Sequence, residues 1–327
     1  MKGNPFGTGF RPPTKTSVKT LLYWISTRAS LRDAMLADQL LGAKTYFWNP
    51  AVQTLKALYD SVTGTSTAPA VIYVPPGTYT TTQLGASLAL KPWVNLKGAG
   101  GRGRVTIFSG ITLTMADASI PAGVNRWRMD GIRLESSPIN LLCTTAGHTL
   151  VATLDDCPLN GNSPIITKGN AYGSGTTMVN LEIRDMNIDK NAAPQLFELS
   201  RVSFYSSNLL GMLFKDSDAY FLGCDLSSGC NVVNDAASAG GWFEFSGCKI
   251  DTMALNDPTS ESVLATLCGS GNENVQVNCT MRGAADPNGI ANWARFQAGA
   301  LYFRFADAKL YRKTTDVGVN TWVASNA

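Results

Sequence analysis

A chain of 327 residues allows one large domain or two ordinary ones. Lys and Arg number 27 against 24 Asp and Glu, a net charge of only +3, which excludes a protein that grips nucleic acid with a dense basic surface. Charged residues are 16% of the chain and hydrophobic residues 44%, with 31 glycines, a balance that excludes wholesale disorder and suits strands and turns over long solvated helices.

No apolar run is long enough to cross a bilayer, so no membrane insertion is expected. Residues Met1 to Arg11 hold Lys2, Pro5 and several glycines but no apolar stretch, so no signal peptide is expected either. The seven cysteines form no C-x-x-C pair, and one histidine, His148, cannot complete a zinc cluster. Neither a metal nor a cofactor is therefore expected. The cysteines read as free, buried thiols of a protein folded in a reducing compartment.

Taken in order, residues 1–18 read as an extended arm, because Pro5, Pro12, Pro13 and their neighbouring glycines forbid a regular element. A first short helix is predicted from the Ser30–Asp33 capping pattern to a stop at Gly42. A second is predicted from Asn49–Pro50 to Gly64, with Val52, Leu55, Tyr59 and Val62 on one face. Two readings stay open for this pair: helices packed on the chain's own core, or a neck where several chains meet. Gly64 to Ala68 is a polar linker. From Ala70 onward the pattern is short strands broken by Gly, Asn, Asp and Ser.

One motif recurs through that region: two alternating apolar positions, a small or Asp residue, a slot, then one more apolar position. Trp127, Met129, Gly131, Ile132 and Leu134 show it, as do Val202, Phe204, Ser206, Ser207 and Leu209, or Phe243, Phe245, Gly247, Cys248 and Ile250. The slots are Ala99, Ile132, Cys157, Met186, Ser207, Cys224, Cys248 and Cys279. Their spacing varies, so the loops vary while the strand-and-bend unit does not. Alternation buries one face of each strand, and the small position marks a corner. The slot then turns inward again. One coil cannot bury that face alone, but stacked coils enclose a continuous interior. The pattern predicts an all-β fold, a right-handed parallel β-helix of about seven to nine rungs, whose column of small or soft slot residues accounts for several cysteines.

Pro76, Gly77 and Tyr79, followed by Leu96, Gly98, Gly100, Thr106 and Ile107, resemble the opening turn and first rung of pectate-lyase-like β-helix proteins. That opening is widespread in bacteriophage tailspikes and tail fibres. The stretch Leu310 to Thr315, with Asn320, Thr321 and Trp322, is similar to a hairpin found in phage fibre proteins. The resemblance spans about residues 70–327. It implies an arm and helical neck over 1–66 that attach to tail or portal-proximal proteins, a parallel β-helix over 67–285, and a C-terminal β segment over 286–327. It also implies a homotrimer, assembled in the bacterial cytoplasm and carried on the virion, that adheres to a host surface polysaccharide. A polysaccharide hydrolase or lyase on the same scaffold, or a purely structural head or collar fibre, are the alternatives.

Gly98, Gly100 and Gly103 spell a dinucleotide-binding signature, but the alternation of Val105, Ile107, Ile111 and Leu113 predicts strands where a nucleotide site needs a helix. His148 has no nucleophile near it in sequence and reads as a loop or satisfied core residue. Cleaving a polysaccharide needs two carboxylates about 5–9 Å apart. The repeat places Arg128, Thr153, Glu182, Ser203, Tyr220, Glu244 and Gln276 in one outward column. It places Asp130, Asp155, Arg184, Tyr205, Leu222, Ser246 and Asn278 in a second, and Arg133, Pro158, Asn187, Asn208, Asp225, Lys249 and Thr280 in a third. Asp130, Asp155 and Glu182 are the catalytic candidates. Arg184, Tyr205, Tyr220, Asp225 and Glu244 are the glycan-binding candidates, the tyrosines because exposed rings stack on sugars. The simpler competing reading pairs the carboxylates with Arg128, Arg133 and Arg184, and packs the tyrosines against a neighbouring subunit.

Overall fold

The computed structural model describes residues 38–39, 42–99, 106–169, 178–187, 195–207, 211–226, 232–234, 241–250, 273–278, 280–283, 286–289, 296–315 and 319–325. The chain winds into a parallel β-solenoid of about seven turns. A long sheet of ten strands forms one side, running from Lys44–Phe47 through Ala70–Val74, Val94–Gly98, Gly123–Asp130, His148–Asp155, Met178–Arg184, Ser200–Tyr205, Asp218–Leu222 and Gly241–Ser246 to Glu273–Asn278. A seven-stranded sheet, from Ser87–Ala89 to Val232–Asn234, forms a second side. Between them lie the short strands that follow each bend, such as Thr106–Ser109, Ile132–Glu135 and Leu159–Asn160.

Each corner is built the way the repeat predicts. Gly131, Asp156, Asp185, Ser206, Gly223 and Gly247 have φ between 47° and 64°. This left-handed turn favours Gly, and Asp tolerates it better than most residues. The next residue points inward: Ile132, Cys157, Met186, Ser207, Cys224 and Cys248 are all buried. Small polar slots also satisfy backbone carbonyls the bend would orphan. The Cys157 thiol donates to the carbonyls of Met129 at 3.5 Å and Asp155 at 3.3 Å, and the Ser207 hydroxyl donates to Tyr205 O at 2.9 Å. One slot differs from expectation. Ala99 does not fill its rung; Thr106 does, pairing with Ile132. Thr106 carries the inward position and donates to Pro75 O at 3.2 Å.

Aromatic ladders fill the interior toward the C-terminal rungs. Phe204, Phe221 and Phe245 stack with centroids 4.9 and 4.6 Å apart and planes within 5°. In-register parallel strands lie about 4.8 Å apart, so equivalent rings must meet face to face.

The two ends are closed differently from expectation. The first predicted helix falls outside the described residues except at Asp38–Gln39 and Gly42. The second starts later than predicted: helix α1, Leu55–Ser61, is capped by Thr54, whose hydroxyl accepts from Ala57 N at 3.2 Å. Asn49 instead makes a turn with Ala51 N, and Val52 is exposed rather than on the buried face. Leu55, Tyr59 and Val62 lie in the solenoid's own core. Lys91 Nζ donates to the carbonyls of Tyr59, Asp60 and Val62, placing a cation on the helix C-terminus. Lys44–Phe47, read as part of the neck region, is a strand that pairs with Ala70–Val74. The described part of residues 1–66 is thus a cap and first strand of the solenoid. At the other end Leu301–Arg304 continues in parallel from Thr280–Gly283, then pairs antiparallel with Lys309–Lys313, which pairs with Trp322–Ala324. This hairpin, expected from the terminal motif, closes the core with buried Tyr302, Tyr311 and Trp322.

Candidate functional site

The outer face of the long sheet carries the chemistry. Strand alternation sends every second side chain outward, and parallel register stacks these into columns. The register aligns Arg128, Thr153, Glu182, Ser203, Tyr220, Glu244 and Gln276, as the repeat predicts. It likewise aligns Asp130, Asp155, Arg184, Tyr205, Leu222, Ser246 and Asn278, and adds Tyr73 and Lys97 ahead of Asp130. A further column, missed in the sequence, runs Arg126, Val151, Asn180, Arg201, Asp218. Extending the alternation two residues upstream of each repeat would have found it.

The catalytic candidates sit together, but each carries a cationic partner. Asp130 and Asp155 occupy adjacent rungs. Arg128 spans both, with NH2 2.6 Å from Asp155 Oδ2 and 3.4 Å from Asp130 Oδ2. Glu182 lies diagonally beyond and is held by Arg184 at 2.8 Å. Arg133 does not join them. It turns the corner and pairs with Glu135 at 3.1 Å. Burial holds the Asp130 carboxyl above the usual carboxylate range; Arg128 and Lys97 pull it down, and Asp155 pushes it further up. The two carboxyls therefore differ in environment although they share one arginine.

Of the glycan-binding candidates, Arg184, Tyr205, Tyr220 and Glu244 share this face and Asp225 does not. Asp225 starts the short strand after the bend and pairs with Lys249 at 3.3 Å on the next side of the solenoid. The Arg184 guanidinium lies 5.2 Å from the Tyr205 ring centre, and Arg201 lies 6.0 Å from that of Tyr220. Both tyrosines are half-buried and both arginines exposed. Arg201 also reaches Asp218 at 3.4 Å, and the Ser246 hydroxyl lies 3.2 Å from Glu244 Oε1. Toward the first rungs the column is covered. Tyr73 is buried, its hydroxyl donates to Asp38, and Lys97 lies 3.5 Å from the same carboxylate.

The remaining motifs fall out of the chemistry. Among the described residues, the element that follows the glycine signature is a strand, Thr106–Ser109, and not a helix. His148 opens a strand of the long sheet, and its buried Nδ1 has no hydrogen-bond partner among the described residues, against the expectation of a satisfied one. The same residues offer no His, Cys, Asp and Glu group suited to a metal ion. Cys143, Cys157, Cys224 and Cys248 are free and buried, as expected. Burial pushes the Cys157 thiol up to about 12 and that of Cys143 to about 11.

These features define a class: a parallel β-solenoid with a flat outer sheet of paired charges and half-exposed tyrosines. No family model matches the chain, and no curated protein or solved structure matches it.

Proposed function

We propose that this chain is an adhesive fibre subunit of a bacteriophage virion, and that the outer face of its long sheet binds a host surface polysaccharide. The observation that carries the reading is the pair of arginine-backed tyrosines, Tyr205 and Tyr220, on adjacent rungs of a stiff flat sheet. Rings fixed on a rigid surface lose little entropy on binding, and their faces suit the apolar side of a sugar. The motif likeness at Pro76–Tyr79 and Leu310–Trp322 supports the virion assignment. The residues ahead of the solenoid would supply attachment, and three copies side by side would form the rod.

The test needs no knowledge of the sugar. Purified protein is run through native gels containing polysaccharide from candidate host bacteria, and its solution mass is measured by light scattering. Retardation, with a particle near 105 kDa against 34.9 kDa for one chain, supports the reading. A monomer that no polysaccharide retards refutes it.

A second reading is favoured by one observation. Asp130 and Asp155 lie on adjacent rungs and share Arg128, and burial holds the Asp130 carboxyl above its usual range. Two neighbouring carboxyls, one raised so that it can donate a proton, are what glycoside hydrolysis uses. Release of reducing ends from the bound polysaccharide, lost in Asp155→Asn, would establish a depolymerase. Binding without release leaves an adhesin.

A further inference from the structure

This inference rests on the glycan-binding reading and names the substrate class. The outward columns of the long sheet present cations at Lys97, Arg126, Arg128, Arg184 and Arg201. The anions on the same columns are Asp130, Asp155, Glu182, Asp218 and Glu244. Five face five, and the two signs are intermixed rather than separated into patches, with Asp130 and Asp155 adjacent and bridged by Arg128. Arg128, Arg184 and Arg201 each already hold a carboxylate within 3.4 Å. A face with interleaved signs has no net field to draw in a polyanion, and each arginine would have to leave its partner before gripping a ligand carboxylate. A uronate or phosphate on a glycan would also meet Asp155 beside Arg128, Glu182 beside Arg184 and Asp218 beside Arg201.

What the face does offer is matched to uncharged sugar. Tyr205 and Tyr220 stand half-exposed on this face, each with an exposed guanidinium lying over one side of its ring. The paired arginines and Ser203 supply N–H and O–H donors, and the carboxylates supply acceptors for ring hydroxyls. Neighbouring rungs repeat every 4.8 Å or so, close to the length of one pyranose unit in an extended chain. We infer that the long sheet binds a neutral polysaccharide lying along the solenoid axis, by stacking on Tyr205 and Tyr220 and hydrogen bonding to the intact ion pairs, and that charge attraction plays no part.

The experiment separates bacterial surface polysaccharide by anion exchange into neutral and acidic pools, and measures affinity of the full chain for each at low and high salt. The expected result is binding to the neutral pool, unchanged by salt, and weakened about three- to tenfold in each of Tyr205→Ala and Tyr220→Ala. Tyr205→Phe and Tyr220→Phe keep the ring and retain binding, which separates a lost platform from a disturbed fold. Binding to the acidic pool that falls steeply with salt overturns this inference and leaves the glycan reading standing. Binding to neither pool overturns both. Neutral binding that both alanine variants leave unchanged, with circular dichroism of the variants native, also overturns it.

Discussion

Arg128 is the residue whose loss the structure makes most informative. It spans Asp130 and Asp155 on adjacent rungs, at 3.4 and 2.6 Å. Arg128→Met keeps much of the stem and removes the charge. Two carboxylates then face each other across the strand spacing of about 4.8 Å. Their repulsion is about 3 kcal/mol at an effective dielectric of ~20 and under ~1 kcal/mol in water. The carboxylates are about one quarter exposed and the arginine half exposed, so solvent and salt screen the site. The expected cost is about 1 kcal/mol at neutral pH. The sign with pH follows from linkage. The Asp130 carboxyl already lies above its usual range in the folded chain. Losing Arg128 lifts it further, so the folded state binds a proton more readily than the unfolded one. Stability then falls as pH rises through the carboxylate range, and the variant matches the parent in acid where both carboxyls are protonated. Urea unfolding at neutral and acidic pH measures the difference. Carbon NMR of the Asp130 carboxyl should show its titration midpoint moved up in the variant. An unchanged titration, or a cost as large in acid as at neutral pH, would refute the bridging role.

Four further outcomes are expected. Phe221→Ala empties the middle of the stacked ladder and should cost about 3–5 kcal/mol in chemical denaturation. Gly98→Ala should cost about 1–3 kcal/mol, because its Cβ would stand 2.2 Å from the Gly131 carbonyl oxygen and neither backbone can yield; a neutral result would mean that the rungs do not approach so closely. Maleimide at mildly alkaline pH should leave Cys143, Cys157, Cys224 and Cys248 unlabelled in native protein, read by peptide mass spectrometry, and label them after unfolding. Asp117 pulls in Thr144 N and Thr145 N at 2.7 and 3.0 Å, and although burial pushes its carboxyl up, these bonds and that of the Thr145 hydroxyl hold it below its usual range. Its stabilisation is present above the usual carboxylate range and lost as pH falls through the folded value, so Asp117→Asn should destabilise at neutral pH and not in acid.

The interior of the solenoid was legible in the sequence because the fold repeats one demand. Every rung needs two inward apolar residues, a residue that accepts positive φ, and a small inward slot. Gly131, Asp156, Asp185, Gly223 and Gly247 meet that demand with residues that favour or tolerate positive φ, and Ser206 adopts it as the small residue of its repeat. The other sides were illegible for the same reason reversed. Corners at Ser136 and Leu199 adopt φ of 47° and 50° with no such preference, and their neighbouring strands span four residues, too few for alternation to declare itself. Lys44–Phe47 was hidden by its position among helix signals, since nothing in KTYF alone announces a partner at Ala70–Val74. The Ala99 slot failed because the position paired with Ile132 belongs to Thr106, and repeat spacing alone cannot report that offset.

The candidate site divides along the same line. Its columns were readable, since in-register stacking converts a motif position into a place on the surface. Its pairings were readable in part: Arg128 and Arg184 hold the carboxylates of this face as the competing reading has them, and Asp225 stands beside Lys249 as the third column has them, whereas Arg133 takes Glu135 on its own strand. Inward positions answer to the rung above and below, so they are constrained and repetitive. Outward positions are constrained less, by exposed ion pairs of modest worth and by any partner outside the chain. This is why the outward tyrosines and the alternating charges carry the functional argument. The ladder below them requires Phe204 and Phe221, but it does not require Tyr205 and Tyr220. Replacing both outward tyrosines should therefore leave the urea midpoint within the range of ordinary surface changes, about 0.5 kcal/mol, while removing polysaccharide binding. A loss of stability comparable to Phe221→Ala would mean that the rings serve the fold, and the case for a glycan surface would lose its support.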